Sequence, residues 1–149
     1  RRLHPNVNSY TRSGTAPIKA VARGETGVSL SFVHDAVTER NAGFPVAWAT
    51  PCEGTGYEIG SMSILRGARN LTQARRFYDW ALTAPAQRLG FEAGGQLQTP
   101  SNRSAPLPPN APDLSQIRLI EYDFARYGSS AERRRLIERW EREVGNLPR

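Results

Sequence analysis

The chain has 149 residues, a hydrophobic content of 38%, a formal net charge of +6 and a pI near 10.2. That length fits one domain of ordinary size, and eleven Pro and thirteen Gly speak for many turns and against a helical bundle. No apolar run is long enough to span a bilayer, and the single Cys52 excludes an internal disulfide and, with no His or second Cys at ligand spacing, a zinc site.

The start, Arg1-Arg2-Leu3-His4-Pro5-Asn6, lacks the apolar stretch of a secretory signal. Either a signal has been removed or the chain begins inside something larger. The basic balance raises nucleic acid or an acidic surface as a partner. The plainer reading is a solvated basic surface, because Arg1-Arg2 is terminal and Arg133-Arg134-Arg135 lies in a Glu-rich segment.

Residues 1–12 read as an extended entry with Val7 and Tyr10 as buried anchors. Ser13-Gly14-Thr15 leads into a short helix: Thr15 or Ser13 can cap it, Pro17 suits its first turn and Gly24 can end it. Ile18, Val21 and Ala22 share one face. In the following GVSLSFV, Val28, Leu30 and Phe32 alternate with Ser29 and Ser31, the period of a half-buried strand. Residues 36–43 are polar, a short helix or loop. Phe44 to Ala49 is a second strand candidate with Val46 and Trp48 on one face, and Tyr57 to Leu65 a third. A helix followed by strands is an α/β signature.

Asn70 stands at the cap of the best helix, LTQARRFYDWAL, whose Leu71, Ala74, Phe77, Trp80 and Ala81 make an amphipathic face suited to core packing. Thr83-Ala84-Pro85 restarts a shorter helix through Leu89. Residues 93–113, rich in Gly, Pro, Ser and Asn, form a long loop of the sort that marks a boundary, a functional loop or a wrapping connection. Residues 114–127 are alternately apolar and charged and are assigned to no element. The last helix is announced by the capping box Ser129-x-x-Glu132, with Leu136, Ile137, Trp140 and Val144 on one face and Glu138–Arg142 as an i,i+4 pair outside.

The chemistry-bearing residues concentrate between Gly27 and Gly60. His34-Asp35 follows the first strand candidate, and PCEGTGYEIG brings Glu53, Tyr57 and Glu58 among turn-forming glycines. Polar groups at strand ends are where open α/β sheets bind ligands. Carboxylates with an imidazole suit a hydroxyl-rich ligand, since each carboxylate can accept two hydroxyl protons in charge-assisted bonds. On residue types alone a metal held by His34, Asp35 and Glu58, or a structural cap, stays open as well. Ser13-Gly14-Thr15 could receive a phosphate through backbone N–H groups and two hydroxyls, or serve as an ordinary cap. EGTGYEIG has neither Walker nor Rossmann spacing, and no G-x-S-x-G supplies a nucleophile for a hydrolase.

Taken together, SGTAPIKAVARGE, SFVHDAV, PCEGTGYEIG and GARNLTQARRFYDWALTAPAQ resemble the later part of a periplasmic solute-binding protein of the ferric-iron-type ABC importer family. The resemblance implies part of a two-lobed periplasmic-binding-protein (type II) fold, a mixed sheet flanked by helices that binds ligand between lobes without catalysis. It divides the chain into the end of the second lobe (1–60), a returning hinge strand with part of the first lobe (61–112), and C-terminal helices packing back on the second lobe (113–149). It also implies a periplasmic location, an inner-membrane ABC permease as partner, and no cofactor, resident metal or nucleic acid. The signal peptide and most of the first lobe are expected to be absent from the chain.

Iron-binding members of that family carry two adjacent tyrosines where this chain has His34-Asp35. The His-Asp pair with the Glu of G-Y-E is similar to the hexose-phosphate-binding branch. The resemblance therefore implies that His34, Asp35 and Glu58 grip sugar hydroxyls, that Tyr57 packs on the sugar's apolar face, and that Ser13, Gly14 and Thr15 contribute to holding a phosphate. A ferric ion or a phosphonate such as aminoethylphosphonate is the alternative cargo, and a basic nucleic-acid-binding domain a more distant one. Without the opposite lobe the cleft is half built, so weak binding is expected, and uncovered strands could pair with another copy.

Overall fold

Helices and irregular segments, rather than a sheet, carry the architecture. The computed structural model describes residues 2–148, so Arg1 of the terminal basic pair lies outside it. Six helices follow in order: α1 (Ala16–Ala22), α2 (Val33–Asn41), α3 (Leu71–Ala81), α4 (Ala84–Glu92), α5 (Phe124–Tyr127) and α6 (Ser130–Trp140). Short 3-10 turns stand at His4–Asn6 and Leu114–Gln116, and a π-helical turn at Glu141–Gly145 prolongs α6. No helix among the described residues is long and apolar enough to cross a membrane.

The first helix forms where the turn signals place it. Pro17 sits in its first turn, and Gly24 takes φ 74°, a left-handed conformation that lets the chain leave the helix without a Cβ clash. Thr15 occupies the cap position but makes no capping bond. α1 packs on α2, where Ile18, Ala36 and Val46 form the buried cluster with Val21 and Ala22 against it. The small Ala36 lets the second helix approach closely. Val46 thus behaves as expected of an inward-facing residue, while Trp48 on its supposed face is largely exposed.

The mixed sheet expected from the alternating segments is not seen. Among the described residues the strand pairing is a single parallel bridge between Thr55 and Leu119. Val28 and Leu30 are 87% and 83% exposed, and among the described residues no backbone–backbone hydrogen bond involves residues 27–31. An alternating pattern states which face a strand would bury, but a ladder needs a neighbour, and none is provided here.

The bridge joins the PCEGTG turn to the C-terminal third. Thr55 N–H donates to Arg118 O at 2.9 Å, Ile120 N–H donates to Thr55 O at 3.0 Å, and the Arg118 guanidinium reaches Cys52 O at 3.2 Å.

The third helix keeps its boundaries, but its apolar face is not a covered core. Phe77 and Trp80 remain 59% and 48% exposed, and the stripe borders an open groove of about 280 Å³ shared with residues 62–65 and Ala68. Asn70 precedes this helix without a side-chain cap bond. α4 is capped by Thr83, whose Oγ1 accepts from Ala86 N–H at 3.4 Å.

The long loop is tied down rather than loose. Asn102 N–H donates to Gln87 Oε1 at 2.9 Å, Asn102 Nδ2 donates to Leu82 O at 2.7 Å, and Leu97, Pro108 and Pro112 are buried. Beyond it, Asp113 caps the 3-10 turn and Asp123 caps α5 through their carboxylates.

Ser129 caps α6, accepting from Glu132 N–H at 3.2 Å. The Glu132 carboxylate does not reach back to the cap; it is bound by Arg135 at 2.6 Å with Arg126 at 3.5 Å. The expected Glu138–Arg142 pair is replaced by Arg139–Glu143 at 3.2 Å. In a run of alternating charges several i,i+3 and i,i+4 pairings compete, and local rotamers choose among them.

Candidate functional site

The first correction concerns where the His-Asp pair sits. The residues after the first strand candidate do not end a strand: Phe32 is the extended cap (φ −74°, ψ 143°) and Val33 already begins α2. His34 and Asp35 therefore lie in the first helical turn. A carboxylate there is favoured by the partial positive charge of the helix start.

The pair faces itself. His34 Nε2 stands 3.5 Å from Asp35 Oδ1, with the side chains 26% and 15% exposed. The second carboxylate oxygen, Asp35 Oδ2, is buried without a hydrogen-bond partner. Buried polar atoms are nearly always paired, and an orphan calls for an explanation such as a ligand. Thr26 Oγ1 and Ser29 Oγ, on the segment leading to the pair, are orphaned in the same way.

Ser13-Gly14-Thr15 comes to the same place from the start of α1. Ser31 Oγ donates to Gly14 O at 3.2 Å, and the Phe32 ring lies against Gly14. Ser13 Oγ and Thr15 Oγ1 are 3.2 Å apart on the surface. Gly14 and the His34 imidazole thus both border the Phe32 ring, which marks one corner, and side chains of these types can donate to and accept from a polyhydroxylated anion.

Tyr57 and Glu58 are not joined to that corner by any hydrogen bond, ion pair or ring contact among the described residues. Tyr57 belongs to an aromatic group, with Phe124 at 5.9 Å and Tyr122 at 6.3 Å between ring centroids. Glu58 is exposed on the neighbouring position. Among the described residues no group of three or more His, Cys, Asp or Glu forms a candidate metal cluster.

Two residues carry more of the architecture than their sequence context indicates. Phe32, read as a strand residue, stacks on the His34 imidazole with centroids 5.3 Å apart and planes 17° apart. His4 is buried: its Nε2 lies 3.1 Å from Leu147 O and its Nδ1 3.0 Å from the Tyr10 hydroxyl. Neither role has a local signal, because Gly14 and Leu147 are distant in the chain.

No family model matches the chain. An uncharacterized protein of Haemophilus influenzae is 46% identical over 144 residues, covering 97% of this chain and 42% of that protein. Among solved structures, the periplasmic binding protein AfuA from Actinobacillus pleuropneumoniae, with exogenous fructose-6-phosphate bound, superposes with a TM-score of 0.92 at 48% identity. That match covers 97% of this chain and 46% of AfuA. The periplasmic binding protein P5PA superposes with a TM-score of 0.86 at 37% identity, over 96% of this chain and 45% of its own. The chain spans less than half the length of each of these relatives.

Proposed function

We infer that this chain, alike in sequence and fold to periplasmic binding proteins, is part of the substrate-binding component of an ABC importer. It captures a phosphorylated small molecule, a hexose phosphate, in a cleft between lobes and delivers it to a membrane permease. Its place of work is the periplasm, and its action is capture without turnover.

The observation that carries the reading is the orphaned Asp35 Oδ2 beside His34, in a chain similar to a protein with fructose-6-phosphate bound. A sugar hydroxyl offers the missing donor, and its oxygen can accept from the imidazole. Ser13 and Thr15 hydroxyls, with Gly14 between them, add donors for the phosphate. Glu58 and Tyr57 join the sugar across the cleft, Glu58 as a hydroxyl acceptor and Tyr57 as an apolar platform.

The test is a calorimetric titration of the full-length protein that carries this chain with fructose 6-phosphate, glucose 6-phosphate, aminoethylphosphonate, inorganic phosphate and ferric citrate, repeated on Asp35→Asn. Loss of one charged hydrogen-bonding partner should weaken sugar-phosphate binding by about 1.5–3 kcal/mol. Ferric or phosphonate binding with no response to either sugar phosphate would overturn the cargo. Equal affinity in Asp35→Asn would overturn the site.

A further inference from the structure

We propose that Phe32 is the positioning residue that sets the plane of the His34 imidazole, and that Gly14 is the seat that holds Phe32 there. The proposal rests on the reading of His34 as a sugar-binding group, and adds to it a device that orients the group before ligand arrives.

His34 has little else to orient it. Its Nε2 is 3.5 Å from Asp35 Oδ1, longer than a charge-assisted hydrogen bond, and its Nδ1 makes no hydrogen bond among the described residues. The χ2 torsion of histidine is broad, so an imidazole without fixed partners samples many planes. The near-parallel Phe32 ring, 5.3 Å and 17° away, is the contact that selects one.

Phe32 is itself held from the other side. A Cβ added to Gly14 would stand 3.0 Å from Phe32 Cε2 and 3.5 Å from Cδ2, tight enough that the ring would have to shift from where it lies. The Ser31 Oγ bond to Gly14 O, at 3.2 Å, ties the two backbones together at that point. Ala36 N–H donates to Phe32 O at 3.3 Å, fixing the residue at the start of α2.

An apolar residue at a helix start is commonly a core anchor. Phe32 differs: it is 39% exposed and stands outside the buried cluster of Ile18, Ala36 and Val46. Its ring lies against Gly14 and stacks on His34. A pre-set imidazole spares the site the cost of ordering a side chain at binding.

The experiment uses the full-length protein with Phe32→Leu, Phe32→Tyr and Gly14→Ala. The imidazole C–H resonances are followed by NMR and fructose 6-phosphate affinity by calorimetry. A stacked ring displaces the His34 resonances, so Phe32→Leu should move them while leaving those of His4 in place, which also reports that the fold is intact. Affinity should fall about 2- to 12-fold, the range of an aromatic pair.

Phe32→Tyr, which keeps the ring, should restore both readouts. Gly14→Ala should move the His34 resonances as Phe32→Leu does, and it answers the question if Phe32→Leu fails to fold. Unmoved His34 resonances in both Phe32→Leu and Gly14→Ala would overturn the proposal, as would unchanged affinity in variants of a protein that binds the sugar phosphate. A wild-type protein that binds no sugar phosphate would instead sink the functional reading, and the NMR arm would still decide whether Phe32 orients His34.

Discussion

Gly54 meets Ile120 with no space between them: at φ 112° its backbone lies so close that a Cβ would stand 3.2 Å from Ile120 Cγ2 and 3.4 Å from Arg118 O. This contact sits at the single bridge between the PCEGTG turn and the C-terminal third. Gly54→Ala combines an unfavourable φ with a crowded neighbour, and strain of that kind costs about 1–3 kcal/mol. Urea denaturation should show a lower midpoint with an unchanged slope. A midpoint equal to wild type would mean that the crossing is not under tension.

Glu132 should titrate far below an ordinary carboxylate. Its hydrogen bonds to Arg135, and secondarily the charge of Arg126, hold it at about 2 against an ordinary value of 4.5. A depressed folded-state value means that the stabilisation is complete above the ordinary value and is lost as pH falls through about 2. Helical signal from α6 should therefore decline across that window, and Glu132→Gln should remove the dependence. Because the Arg135 side chain of the pair is half exposed, added salt should move the value back toward the ordinary one. Side-chain NMR showing an ordinary carboxylate in low salt would refute the arrangement.

Val28 and Leu30 project into solvent from a segment without ladder bonds, which is a template for pairing with another chain. The 149-residue chain should self-associate with rising concentration in sedimentation velocity. The double variant Val28→Lys, Leu30→Lys should stay monomeric, since charges on an edge oppose strand addition. A wild-type chain that remains monomeric at all concentrations would count against this.

These particulars show what local sequence can and cannot carry. Thr83 before Pro85, Ser129 before Glu132, and Gly24 past α1 act within one helical turn, and each was legible because its partner is a few residues away. The strand candidates failed for the opposite reason: alternation encodes a preferred face, whereas a ladder depends on a neighbour that the local pattern does not name. Of the candidate site, the residue types could be read locally, His34 beside Asp35 and the Ser13-Gly14-Thr15 turn, whereas the approach of Phe32 to Gly14, tied by a Ser31–Gly14 bond spanning seventeen positions, has no local signal. The helical start at Val33 was masked by the alternating run before it. His4 has no local signal for its role because Leu147 O stands near the far end of the chain.

The tautomer of His4 can be deduced. A carbonyl only accepts, so Nε2 carries the proton given to Leu147 O, and in the neutral imidazole Nδ1 then accepts from the Tyr10 hydroxyl. Nitrogen NMR should show the Nε2–H form, and the other tautomer would break the deduction. Tyr10→Phe should cost about 0.5–1.5 kcal/mol, the net worth of a hydrogen bond.

The His4–Leu147 bond spans 143 positions, and bringing the ends of so long a flexible loop together costs about 4 kcal/mol in chain entropy. One neutral hydrogen bond returns about 1 kcal/mol net, so it cannot close the ring by itself. The edge-on contact of Tyr10 with Trp140, at 5.5 Å, and the docked elements between must first bring the two ends near. The clasp is then a late contact on the folding route, and protection of Leu147's neighbourhood should rise only with the cooperative folding of the whole chain.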